Sequence, residues 1–96
     1  MTPLAKYTQT SAEEKRYTID YADWLDTGEV LSSAVLTVSP TGGLEIPSSA
    51  ITNDGTVITY FARGGDDGIT YKVIVTAQTD GGQVKEDYIQ FTIRDP

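Results

Sequence analysis

TYKVIVTAQTDGGQVKEDYIQFTI, residues 70–93, decides the fold. In its first half Tyr71, Val73, Val75 and Ala77 alternate with Lys72, Ile74, Thr76 and Gln78. A period of two places successive side chains on opposite faces of an extended chain, so this is a strand. Asp80-Gly81-Gly82 then supplies residues that tolerate the backbone angles of a tight turn. In the second half Ile89, Phe91 and Ile93 fall on one face, and Tyr88, Gln90, Thr92 and Arg94 on the other. Two strands joined by such a turn form an antiparallel hairpin, and its apolar face requires a second layer to cover it.

Upstream, the same grammar repeats. RGGDDG (63–68) punctuates the chain before the hairpin, and TVITYFA (56–62) precedes it, led in by the turn Asn53-Asp54-Gly55. SAIT (49–52) and GLEI (43–46) are short pieces separated at Pro47. VLSSAVLTV (30–38) puts Ala34, Leu36 and Val38 on a shared face and ends at SPTGG, whose Pro40, Gly42 and Gly43 do not suit a central strand. KRYTIDY (15–21) sets Tyr17, Ile19 and Tyr21 against Arg16, Thr18 and Asp20. No segment carries a sustained 3.6-residue repeat. About seven short strands with turn signals at these intervals predict an all-β protein, an immunoglobulin/fibronectin-type III-like antiparallel β-sandwich, with a small barrel as the alternative. Tyr71 suits a tyrosine corner, in which a hydroxyl near the start of the penultimate strand turns back onto the preceding loop; it equally suits a plain strand aromatic.

A chain of 96 residues with 39% hydrophobic content suffices for one core and leaves no room for a second. The expected organisation is a flexible N-terminal arm over residues 1–14 followed by a single β-sandwich domain over 15–96. Within the arm only SAEEK (11–15) offers a helical turn, with Ser11 capping and Glu14 at the third helical position. There is no cysteine, so packing alone must hold the core. No apolar run approaches the roughly 20 residues that span a bilayer, and MTPLAKYTQTSAEEK lacks the apolar stretch of a signal peptide, which predicts a soluble protein made in the cytosol.

Seven basic against fourteen acidic residues give a formal charge of −7. That repels phosphate backbones and anionic lipid, so neither nucleic acid nor membrane is an expected partner. With no histidine or cysteine and no Gly-x-Ser-x-Gly, Walker or dinucleotide-binding motif, the usual nucleophile, general-base and phosphate-binding arrangements cannot be assembled. Two acidic clusters remain. Asp20, Asp23, Asp26 and Glu29 recur every third residue, whereas a calcium-binding loop of EF-hand type needs alternate ligands and a central glycine. Asp66 and Asp67 sit in Gly64-Gly65-Asp66-Asp67-Gly68, where turn formation accounts for them. The expectation is no enzyme, no catalytic residue, no cofactor and no metal. Trp24 has two roles open to it, a plug over one end of the core with Leu25 or an exposed interface anchor, and the plug is preferred.

Three stretches taken together, YTIDYADWLDTGEVLSSAVLTV, then GGLEI, then the GG-x-DG turn before TYKVIVTAQTDGG, resemble a family of small immunoglobulin-like proteins of bacteriophage and prophage virion-assembly clusters, the fibre-tail adaptors among them. The resemblance covers roughly residues 15–93. It implies a structural or adaptor subunit of a virion, synthesised in the host bacterial cytoplasm, with other virion structural proteins as partners and no catalytic residues to carry over. It leaves the head, connector or tail position and the partner-binding residues unassigned, and it is compatible with a monomer in isolation. A carbohydrate- or host-surface-binding module is the alternative from another class, with Tyr60, Phe61 and Tyr88 as candidate stacking surfaces.

Overall fold

The hairpin of residues 70–93 is the centre of the molecule. In a computed structural model of the chain, which describes residues 3–52 and 54–96, the strands are β1 (Lys6–Gln9), β2 (Glu14–Asp20), β3 (Leu31–Ser39), β4 (Leu44–Glu45), β5 (Ser49–Thr52), β6 (Val57–Gly64), β7 (Thr70–Thr79) and β8 (Val84–Ile93). One sheet has the order β1-β8-β7-β3; in the other, β6 lies between β2 on one side and β4 and β5 on the other. The two sheets share no strand, so the fold is an all-β sandwich and not a closed barrel.

Alternation sets the core. From the second sheet Ile58, Tyr60 and Ala62 face Val73, Val75, Ala77, Ile89, Phe91 and Ile93 of the first, and each is at most 1% exposed. Burial of a large apolar side chain stabilises by roughly 1.5–3 kcal/mol, and the period of two delivers these residues to one layer without any helix. The inward faces expected for Tyr71–Ala77 and Ile89–Ile93 are those observed. Thr79 N–H donates to the Gln83 carbonyl at 2.9 Å and closes the β7–β8 turn. In the Asn53-Asp54-Gly55 turn, Asn53 lies outside the described residues, and Asp54 and Gly55 take φ of 57° and 91°.

The Tyr71 hydroxyl does turn back onto the loop before its strand, accepting from the Asp66 N–H at 3.0 Å. Two glycines make room for it. A Cβ on Gly43 would run into the Tyr71 hydroxyl, and one on Gly65 (φ +99) would meet Ile93 Cγ1 at 2.6 Å and the Tyr71 ring at 3.3 Å.

The N-terminus departs from expectation. Over Lys6–Gln9 the chain is not a loose arm but a strand, parallel to β8 with Tyr7 opposite Phe91 and Gln9 opposite Ile93. Leu4 N–H donates to the Tyr88 carbonyl at 2.8 Å, Gln90 N–H to Ala5 at 3.0 Å and Arg94 N–H to Gln9 at 3.0 Å. The physical reason is that β8 would otherwise leave its backbone edge and Phe91 uncovered. Tyr7 packs there, 5.4 Å from the Phe91 ring and 4.5 Å from Tyr17. Gln9, 1% exposed, uses its whole amide: Nε2 donates to the carbonyls of Ala62 and Glu13, each at 3.0 Å, and Oε1 accepts from the Tyr17 hydroxyl at 2.7 Å. It thereby ties β1 to both strands of the opposite sheet that lie over it.

The helical turn that SAEEK could start does not form either. Thr10 and Glu13 close a short turn, Thr10 N–H donating to Glu13 Oε1 at 2.8 Å, and Glu14 already begins β2. Ser11 bonds to Asp95 near the C-terminus, through its N–H and its hydroxyl, both at 2.8 Å to Oδ1.

Candidate functional site

The acidic loop after β2 begins at Tyr21, which is 4% exposed and donates its hydroxyl to Asp87 Oδ2 at 2.9 Å. Burial, reinforced by that carboxylate, pushes the Tyr21 hydroxyl well above its ordinary range. The Tyr21 carbonyl accepts from the N–H groups of Trp24 (3.0 Å) and Leu25 (3.1 Å), which wraps the chain into a single turn. The Trp24 ring stands edge-on to Tyr21 with centroids 5.7 Å apart, and Lys85 Nζ lies 5.6 Å from its centroid. Trp24 and Leu25 both pack against the core, so they cover its end as expected, but each keeps part of its surface in solvent.

Two acidic residues of this loop, Asp26 and Glu29, serve its docking. Asp20 accepts from the Ala22 N–H at 2.9 Å. Glu29 reaches the β7–β8 turn, where Oε2 accepts from the Thr79 hydroxyl at 2.8 Å and Oε1 from Gln83 Nε2 at 3.1 Å, and Gln83 also donates to Asp26 at 3.1 Å. The backbones meet as well: Asp80 N–H donates to the Val30 carbonyl at 2.9 Å, and Val30 N–H to Asp80 Oδ1 at 3.1 Å. The Thr79 hydroxyl, followed by the Asp26 N–H, holds the Glu29 carboxyl below its ordinary value. Glu29 is thus a clasp between two loops at one end of the sandwich. Sequence spacing groups it with its neighbours in the chain, of which Asp26 is a partner, but Thr79 and Gln83 lie 50 and 54 residues away.

Among the described residues no three acidic side chains converge in a way that could hold a metal ion. Asp66 and Asp67 are turn residues: the Asp66 carbonyl accepts from Ile69 N–H at 3.1 Å, and Asp67 Oδ1 from Asp95 N–H at 2.9 Å.

The three aromatics considered for sugar stacking are not brought together. Tyr60 is wholly buried, its ring 5.6 Å from Tyr17 and 6.5 Å from Phe91. Phe61 follows it on the outer side of β6, and Tyr88 lies on the outer side of β8 in the other sheet, with Lys72 Nζ 5.0 Å from its ring centroid. Beside Tyr88 lies an open depression of about 220 Å³ shared with Lys72, Ile74, Glu86 and Asp87. Among the described residues no helix is long and apolar enough to cross a membrane.

What the molecule offers is therefore a sandwich with looped ends, strand edges and two solvent-facing sheets. A family model described as podophage GP4 fiber-tail adaptor protein gp77 matches residues 9–92. The chain belongs to that adaptor family. The match runs from the last residue of β1 to the penultimate residue of β8, so it takes in the Trp24 loop, the Tyr71 corner and the central hairpin alike. No curated protein matches the sequence. For a fibre-tail adaptor family, the features that mark this chain are structural ones: Trp24 covers an end of the core, and Glu29 fastens that cover to the β7–β8 turn.

Proposed function

We propose that this protein is a non-enzymatic structural subunit of a phage virion that joins other virion proteins by protein-protein contact. The family match over residues 9–92 carries the proposal. The residue inventory supports it: a chain without histidine or cysteine lacks the groups on which most enzymatic acid-base and nucleophilic chemistry depends. The strand order supports an immunoglobulin type for the sandwich. With β2, β6 and β5 in one sheet and β3, β7 and β8 in the other, the pairing follows the B-E-D and C-F-G arrangement, and β1 is added in parallel on the outer side of the last strand. Synthesis in the host cytoplasm followed by incorporation into the particle accords with this role.

Burial of Tyr60 removes one of the three candidate stacking residues, which argues against the carbohydrate-binding alternative. Mass spectrometry of purified virions is the test: the protein is expected as a particle component, and its absence from intact virions would overturn the proposal.

A further inference from the structure

The sheet edges of this sandwich are not alike. An unpaired strand edge invites pairing with another chain, and proteins discourage it with short strands, charged residues or proline. β1 is four residues long and carries Lys6; β2 carries Glu14, Lys15, Arg16 and Asp20; β4 and β5 are two and four residues long and are parted at Pro47. β3 has none of these protections. Its nine residues, LSSAVLTVS, include no charge and no proline. It is bonded along its length to β7 alone, and its one irregularity of pairing lies at its start, between Leu31 and Ser33. Leu31 N–H donates to the Gly55 carbonyl at 2.8 Å; among the described residues no backbone hydrogen bond joins Ser32–Ser39 to any element other than β7.

The sandwich is also open beside this edge. Ala34, Leu36 and Val38 point inward, opposite Ala77, Val75 and Val73 of β7, yet they remain half-buried where those partners are 0% exposed. Across the gap Ile51 of β5 is likewise only half-buried. Between them runs a cleft of about 270 Å³ lined by Ser33, Ala34, Ser49, Ala50, Ile51 and Ile58. Its walls are mostly small side chains, which leaves room for those of an incoming chain. On the outer face Val35 is 61% exposed.

We propose that β3 is a docking edge for an extended segment of another virion protein, which joins the sheet as a further strand beside β3 and places small apolar side chains in the cleft. Main-chain hydrogen bonds would supply affinity and the cleft would select alternate side chains. The occupant is a different protein and not a second copy, because two copies would bring a charge of −7 against −7; the same charge favours a neutral or basic segment. This inference rests on the proposed adaptor role and names the surface through which that role is carried out.

Hydrogen-deuterium exchange on purified virions, compared with the isolated protein, tests it. Alternate amides within residues 32–39, open to solvent in isolation, are expected to slow by about tenfold or more in the particle, as for any amide that gains a strand partner. Val35→Lys is expected to lower incorporation into particles by about tenfold, the size of effect common at an interface position. Val84→Lys, at a 63% exposed position of β8 away from the edge, is expected to leave it unchanged. Thermal unfolding of isolated Val35→Lys close to that of the parent shows that the variant folds. The inference is overturned, with the adaptor role intact, if the protein is present in virions but residues 32–39 exchange as fast as in isolation, or if both variants are incorporated equally. Isolated protein sedimenting at twice 10.4 kDa with β3 protected would assign the edge to a second copy instead. Absence from virions would overturn the adaptor role and this inference with it.

Discussion

Replacing Gln9 by leucine separates a structural N-terminal strand from a loose arm. Leucine fits the volume of the site but returns none of the three hydrogen bonds made by the amide. The Ala62 carbonyl belongs to a residue that is 0% exposed, so it loses its Gln9 bond without access to water, at a cost of about 1–3 kcal/mol. The Glu13 carbonyl and the Tyr17 hydroxyl are nearer solvent and can rehydrate, so their loss adds about 0.5 kcal/mol each. Leucine regains part of this through its apolar surface, which leaves a net destabilisation of about 2 kcal/mol. With a urea dependence of about 1–3 kcal/mol per molar for a protein of this size, the unfolding midpoint is expected to fall by about 1 M. Equilibrium urea unfolding followed by tryptophan fluorescence measures it through Trp24. A loss below about 0.5 kcal/mol, the level of an ordinary surface substitution, would refute the role assigned to Gln9 and with it the structural importance of β1.

Three further outcomes are expected. Tyr60→Phe removes a buried hydroxyl that has no hydrogen-bond partner among the described residues and is expected to stabilise the fold by about 1 kcal/mol in the same urea assay; a destabilised variant would show that the hydroxyl has a partner after all. Gly65→Ala places a Cβ against Ile93 and Tyr71 at a φ of +99° and is expected to cost about 2–4 kcal/mol, measured by thermal unfolding, whereas an unchanged melting temperature would count against the packing around the tyrosine corner. The Glu29 carboxyl is held below its ordinary value of 4.5 by Thr79 and Asp26, so its contribution to stability is complete above that pH and is lost as the pH falls through the lower folded value. Glu29→Gln is therefore expected to make stability fall less steeply below about pH 4.5; Glu13 and Asp95, also held low, keep part of the slope, and equal slopes in variant and parent would refute the clasp.

The elements that read most directly from the sequence are those in which alternation is long. Tyr71–Ala77 and Ile89–Ile93 state their inward faces residue by residue, and Asp80-Gly81-Gly82 states the turn between them. β1 does not read as a strand in the sequence because four residues are too few for a convincing period and because its innermost residue is polar. The signal was present as Ala5, Tyr7 and Gln9 alternating with Leu4, Lys6 and Thr8, but glutamine counts as an inward residue only when carbonyls wait to receive its amide. Those carbonyls come from Glu13 and Ala62, the second of them 53 residues away. The acidic loop shows the same limit: its every-third-residue spacing is unlike that of a calcium-binding loop, but nothing in that spacing foretells that Glu29 meets Thr79 and Gln83.

Local chemistry thus settled which segments extend, where they turn and which faces become apolar, since backbone geometry and side-chain periodicity act within a few residues. The fate of single polar groups was decided only by the folded molecule, because a hydrogen bond needs its partner within about 3 Å and that partner can lie anywhere in the chain. The same holds for the unprotected edge of β3. Its uncharged sequence is visible from the start, but that it lies at the margin of a sheet, beside an open cleft, follows from the order in which distant strands pair.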